Sequence, residues 1–278
     1  MAAVVFGCAD IIAVVAVRRL GIIRLVLWSH VGAVVIATPY LALGGELHAI
    51  PLTHFAILGG LIILILCALV TFYKGLQTGP VALVSPIVSA HLIPVIILSV
   101  LFLGEDLGWV QVLGIAISAT GLVLASMTVA SPYLGKSHLG KGVSYALLSM
   151  ATSGLFVFGL GAMSQEFGWF LPIYLVRVGS LAILIPLQRA TRSMSLWSPS
   201  IAIVLVAAMV GILQFIGIAA YAMGAHVGSV SFATAGFTIY PIIPIIGGFF
   251  FFHERLVPRQ AFGLASVLMG LVVFRIAA

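Results

Sequence analysis

Residues 71–126 and 220–275 of this chain are two versions of one segment, set at a constant offset of 149. Gly75 pairs with Gly224, Gly79 with Gly228, Val81 with Val230, Phe102 with Phe251 and Glu105 with Glu254. The match runs on through Leu107/Leu256, Gln111/Gln260, Gly114/Gly263 and Gly121/Gly270. Upstream stretches repeat at an offset of 147, as Gly7/Gly154, Gly21/Gly168, Gly32/Gly179 and Pro39/Pro186. Whatever fold forms must therefore be buildable twice from one half. A chain with such internal symmetry folds as two like units stacked or paired, not as one irregular domain.

The medium for that fold follows from composition. Of 278 residues, 63% are hydrophobic and 6% charged. A soluble domain carries about 25% charged residues, too many for this chain to resemble one. Apolar runs of roughly 20 residues, the thickness of a bilayer core, recur along it. The net charge of +6 is scattered between these runs and forms no basic stripe, which excludes a nucleic-acid surface. Cys8 and Cys67 both lie within apolar runs and have no metal-ligand spacing around them, so neither a disulfide nor a metal site is expected. Met1–Val17 lacks a charged leader and ends at Arg18-Arg19, which reads as a retained first span.

Apolar runs between polar punctuation predict ten helices, at about 2–17, 22–43, 54–73, 80–102, 109–127, 142–161, 169–187, 200–223, 227–251 and 259–277. The expected fold is an all-α integral membrane protein, with residues 1–127 as a first five-helix repeat and 142–278 as a second. Residues 128–141 form the linker. Five spans per half force the second copy to enter the membrane upside down. Charge distribution agrees: ten of the twelve Lys and Arg residues fall in loops after odd-numbered spans, whereas loops after even spans carry Glu46, Glu105, Asp106 and Glu166. By the positive-inside rule the odd loops are cytoplasmic and both termini lie outside.

The doubled motifs resemble the EamA branch of the drug/metabolite transporter superfamily, whose hallmark is a tandem repeat of five spans. Each repeat ends in a Pro-containing helix, a short glycine/acid turn and a Gly-spaced last helix. Here these are Ile93-Pro94, Leu103-Gly104-Glu105 and Gln111 to Gly114 and Gly121. The second copy has Pro241 and Pro244, His253-Glu254-Arg255-Leu256, then Gln260 to Gly263 and Gly270. The family's second-span arginine matches Arg177, and His30 stands at that position in the first copy. The resemblance implies movement of small organic solutes such as amino acids, other metabolites or drugs. The location expected is a bacterial inner (plasma) membrane.

Three ionisable side chains fall deep in spans: Asp10, His30 and Arg177. A charge at the bilayer centre costs about 2.5–3.5 kcal/mol even on permissive scales, so each needs a partner or a wet cavity. Two readings stand: a solute site at the midplane, or an Asp10–Arg177 ion pair that only joins helices. Trp28 beside His30 reads as an apolar wall or as packing. Span 4 carries Pro86, Ser89, His91 and Pro94; span 9 carries Thr238, Tyr240, Pro241 and Pro244. Proline inside a helix frees backbone carbonyls, and broken helices at matching positions of two halves point to a transporter's site. The prolines are read as kink and gating positions. Gln214 and Tyr221 in span 8 are further polar candidates, and His91 is a candidate for proton coupling.

No nucleotide-binding or hydrolase motif occurs, so neither an enzyme nor a cofactor is expected. The function expected is a secondary transporter, an exporter or exchanger of small organic metabolites such as amino acids or other carboxylates, working by alternating access around a midplane cavity. The alternative is a broad exporter of lipophilic cationic drugs. The partners expected are the solute, the lipid bilayer and a proton as coupling ion. Duplication within one chain removes any need for an oligomer.

Overall fold

A computed structural model of the chain describes residues 2–43, 50–106, 108–126, 136–190, 200–235, 243, 250 and 258–277. Regular structure among them is helical: α1 (Ala2–Leu20), α2 (Ile22–Ala42), a single 3-10 turn (Leu52–His54) and α3 (Phe55–Thr78). Next come α4 (Val81–Ser89), α5 (Leu92–Leu103), α6 (Trp109–Ser126), α7 (Lys136–Phe167), α8 (Phe170–Ala190), α9 (Ile201–Val227), α10 (Val230–Ala235) and α11 (Pro258–Ala277). Six segments among the described residues are long and apolar enough to cross a membrane: 22–42, 52–78, 83–103, 140–167, 170–190 and 201–227. Shorter apolar helical stretches occupy 109–121 and 261–274. Against the ten spans expected, the ninth falls largely outside the described residues, and α1, which carries Asp10 and has Arg18 and Arg19 in its last turn, is not among the six.

Large apolar side chains such as Val35, Ile63, Leu101 and Ile216 stand exposed on the outer faces of these helices. In water that surface would aggregate, but in a bilayer it is the solvated face. Helix lengths differ from the sequence reading in one systematic way. Helices α3, α7 and α9 run several residues past the apolar runs, because a helix continues until a residue stops it rather than where hydrophobicity falls. Helix α7 thus begins at Lys136, inside the stretch expected as linker.

The fourth span is two helices. Its chain turns at Ala90 and His91, between Pro86 in α4 and Pro94 in the first turn of α5. Pro94 has no N–H to give the carbonyl of Ala90, which accepts instead from Ile93 N at 2.9 Å, a tighter turn that redirects the chain. The turns after α1 and α7 share another backbone device. Gly21 and Gly168, equivalent in the two copies, hold φ of 77° and 78°, a region that L side chains rarely enter.

Packing interleaves the copies. Helices α1 and α2 lie against α9, and their counterparts α7 and α8 lie against α3, the counterpart of α9. A Cβ on Gly32 or Gly211 would collide with backbone across the α2–α9 crossing, so these glycines set how near the helices come. Helix α6 packs along α11. Gly114 faces Gly270 and Gly121 faces Gly263, so the two helices run antiparallel. At the centre of the seam Ser118 Oγ donates to the Val267 carbonyl at 3.1 Å, two residues that are equivalent at the 149 offset.

Candidate functional site

A cavity of about 120 Å3 lies among α1, α3, the α4–α5 break, α7, α8, α9 and α10. Its position follows from the interleaving, because the third helix of each half meets the first helix of the other there. Apolar side chains make most of the wall, among them Phe6, Leu69, Phe72, Phe156 and Ile218. Polar groups reach it from every side: Asp10 of α1, His91 of the break, Ser149 and Ser153 of α7, Arg177 of α8, Gln214 and Tyr221 of α9, and Thr234 of α10. Asp10 is 2% exposed and Arg177 6%. A buried carboxylate and a buried guanidinium therefore line one cavity.

Arg177 is held by the helix beside it. Arg177 Nη1 donates to His30 Nε2 at 3.5 Å. The His30 Nδ1 lies 2.8 Å from the Val26 carbonyl, which only accepts, so the ring proton sits on Nδ1 and Nε2 is the acceptor for Arg177. Tyr73 lies within electrostatic range of both Asp10 and Arg177. Gln214 Nε2 donates to the Tyr73 hydroxyl at 3.2 Å, a bond that crosses from α9 to α3. The Tyr221 hydroxyl donates to the Val157 carbonyl at 2.9 Å. Gly161 makes that possible, since a Cβ there would come within 2.6 Å of the Tyr221 oxygen.

The wall is assembled from repeat-equivalent pairs. At offset 147 these are Phe6/Ser153 and Asp10/Val157; at offset 149 they are Ile65/Gln214, Leu69/Ile218 and Phe72/Tyr221. In four of these pairs one copy supplies a polar group and the other an apolar one. The cavity is thus built twice in shape and once in chemistry.

Of the residues singled out from sequence, the structure brings Asp10, His91, Arg177, Gln214 and Tyr221 to one cavity. Three others lie elsewhere. His30 is buried behind Arg177 and orients it. Trp28 is half-buried and packs on the core formed by Leu25, Val26 and neighbouring apolar residues. Ser89 turns back along its helix, its hydroxyl donating to the Ser85 carbonyl at 2.8 Å. Pro86 and Pro94 flank the break, with the Pro94 ring set against Gly154. Thr238, Tyr240, Pro241 and Pro244 lie outside the described residues.

Sequence reasoning missed Ser149 and Ser153 as wall residues, and it treated Glu105 as a topological marker only. Glu105 makes a second feature at one end of the bundle. Its carboxylate oxygens accept from Val230 N at 2.8 Å and Ser231 N at 3.0 Å, capping α10. At the same end His226 Nδ1 donates to the Ser164 carbonyl, Gln165 Nε2 to the Gly228 carbonyl, and His54 stands 3.7 Å from Glu166.

Comparison with known proteins locates this architecture. The EamA-like transporter family matches residues 1–127. A crystal structure of a protein aligns with 98% of this chain and 94% of its own length, with a TM-score of 0.68 at 14% identity. At that identity the likeness shows a common fold and nothing of activity. No curated protein matches the sequence.

Proposed function

From a multi-pass membrane protein whose first 127 residues match the EamA-like transporter family, we propose a secondary transporter of small carboxylates, amino acids among them, that binds its solute between Arg177 and Asp10. One observation carries the reading: a nearly buried guanidinium and a nearly buried carboxylate line the same cavity. Charged side chains inside a membrane protein face one another or a wet cavity, and a cavity lined by both offers a polar solute two charged contacts. Arg177 takes the solute's carboxylate, presented by His30. Asp10 takes a cationic group or a proton. The apolar wall of Phe6, Phe72 and Phe156 receives the rest of the molecule.

Alternating access around this site is supported by the antiparallel meeting of α6 and α11, by the repeat-equivalent pairs in the wall, and by the broken fourth span. In this reading the chain is two inverted five-helix repeats, and one bundle rocks against the other. The ties from Glu105 and Glu166 close one end of the bundle, which the charge distribution assigns to the outer face. His91 at the break and Asp10 are the candidate proton carriers.

Uptake by purified protein in liposomes tests the reading, with amino acids and other carboxylates offered with and without a pH gradient. Arg177→Ala is expected to lower carboxylate uptake by about 10- to 100-fold, the loss of charge-assisted hydrogen bonds worth about 1.5–3 kcal/mol. Asp10→Asn is expected to remove any acceleration by the gradient. Full activity in a correctly inserted Arg177→Ala protein would sink the site assignment. Movement of lipophilic cations in place of carboxylates would favour a drug exporter that uses Asp10 alone.

A further inference from the structure

Two lysines and a tyrosine gather on the outer surface where α3 of the first copy meets α7 of the second. Lys74 stands near the C-terminus of α3, and its Nζ lies 5.6 Å from the centroid of the Tyr145 ring of α7. An aromatic face holds an ammonium in place without neutralising it. Lys141 precedes Tyr145 by one helical turn, which puts the two side chains on one face of α7. Glycines hold the two helices close at this level, since a Cβ on Gly142 would come within 2.9 Å of the Gly79 Cα. Both lysines are exposed, and neither has an acidic partner among the described residues. The Tyr145 hydroxyl has no hydrogen-bond partner among them either.

Below these donors the surface continues as an apolar track toward the middle of the membrane. Cys67 and Ile63 are exposed on the face of α3 that carries Lys74, and Leu148 and Leu155 on the face of α7 that carries Tyr145. Positive charge above and exposed apolar side chains below match an amphiphile with an anionic head, whereas a free anion would use the upper half alone. The fold does not require the cation, because the counterpart of Lys74 at offset 149 is the apolar Met223. This end of the bundle is also the one that carries Arg18 and Arg19, since Gln77 of α3 donates to the Val17 carbonyl of α1 at 3.4 Å.

We propose that the α3–α7 seam binds an anionic phospholipid, its phosphate taken by Lys74 and Lys141 with the Tyr145 hydroxyl as a further donor, and an acyl chain laid along Cys67, Ile63 and Leu148. Such a site requires only a membrane-spanning chain and is independent of the solute that the cavity takes. Its effect is mechanical. Helices α3 and α7 belong to different copies, and both line the cavity, through Leu69 and Phe72 and through Ser149 and Phe156. A phosphate held by one lysine from each helix joins the copies at the basic end, as Glu105 joins them at the other.

Native mass spectrometry of the purified full chain tests this, with dioleoyl phosphatidylglycerol and dioleoyl phosphatidylcholine as the titrated lipids. The wild type is expected to bind the anionic lipid more tightly by about tenfold or more, given two basic residues at the headgroup. Lys74→Gln and Lys141→Gln should each weaken it by about fivefold, the scale of one basic residue at an anionic lipid surface, and leave phosphatidylcholine within about twofold. Lys74→Arg should keep the preference, and Tyr145→Phe should lower it less than either lysine change. Arg19→Gln, at the same end but on α1, should change it by less than about twofold. Equal affinity of the wild type for the two lipids overturns the proposal, as does a wild-type preference in the Lys74→Gln/Lys141→Gln protein. A loss in Arg19→Gln as large as that in Lys74→Gln would mean a diffuse basic surface and no site. Displacement of the bound lipid by an equal concentration of inorganic phosphate would reveal a free-anion site and overturn the lipid assignment.

Discussion

At the α6–α11 seam the two copies meet through like residues, glycine against glycine, with Ser118 bonded to its own counterpart Val267. At the cavity they meet through unlike ones. His30 and Arg177 are counterparts at offset 147 and are hydrogen-bonded to each other, yet only one of them is a fixed cation. Around them Asp10 has an apolar residue, Val157, as its counterpart, and Gln214 has Ile65. The difference has a physical reason. Holding two helices at backbone distance asks only for the absence of side chains, which both copies supply equally. Recognising a solute with distinct ends asks for unlike groups across the axis that relates the copies. In the proposed function, the intact duplication is scaffold and its broken positions carry the recognition.

Forcing symmetry onto the cavity should do the greatest damage. His30→Arg makes the two copies identical there and sets a second guanidinium against Arg177, where a neutral acceptor now stands 3.5 Å away. An uncompensated buried charge costs on the order of 3–5 kcal/mol. The expected result is a lower melting temperature and uptake reduced to background. Wild-type uptake in this variant would show that asymmetry at the axis is incidental. At the seam the opposite change is the harmful one. Gly114→Val places a Cβ 2.6 Å from the Gly270 backbone oxygen and forces α6 off α11. Overpacking of this kind costs about 1–3 kcal/mol, seen as a broadened or early elution in size-exclusion chromatography and a lower melting temperature. Gly60→Val is the control. A Cβ there meets nothing within 4 Å, so stability should hold. Equal behaviour of the two variants would mean that the seam tolerates separation.

The same contrast explains what could be read without coordinates. Apolar runs marked the helices, and the 149 offset paired α6 with α11 before any packing was known. Asp10 and Arg177 stood out because a charge inside an apolar run is rare enough to need a reason. The two prolines announced the broken fourth span. Which side of a helix faces the cavity was not legible, because helices that are apolar on all sides carry little amphipathic phase. Sequence alone makes Trp28, His30 and Ser89 candidates for either the wall or packing, and the structure places them behind or beside the cavity. The Tyr73–Gln214 bond joins residues 141 apart in sequence, and no local pattern encodes it. Ser149 and Ser153 resembled ordinary packing hydroxyls, and Ser149 is also that, donating to the Ala68 carbonyl at 2.9 Å.

The smallest expected effect falls between seam and cavity, at the Glu105 cap. Glu105 sits just past α5 of the first copy and binds the first amides of α10 in the second, so it ties together the elements that carry His91 and Thr234 to the cavity. In the proposed alternating-access cycle, a part that separates should be held more weakly than the glycine seam. Glu105→Gln keeps one acceptor oxygen and turns the other into a donor that faces an N–H, which removes about half the cap at a cost of about 1 kcal/mol. Hydrogen exchange should then speed up about fivefold at the Val230 and Ser231 amides, the factor that 1 kcal/mol gives at room temperature. Amides along α6 and α11 should keep their wild-type rates. Faster exchange confined to α10 would mark that end of the bundle as the part that opens, with the seam as its fixed pivot. Exchange that rises equally at the seam would mean that the two regions open as one unit, and the division between scaffold and moving part would fail.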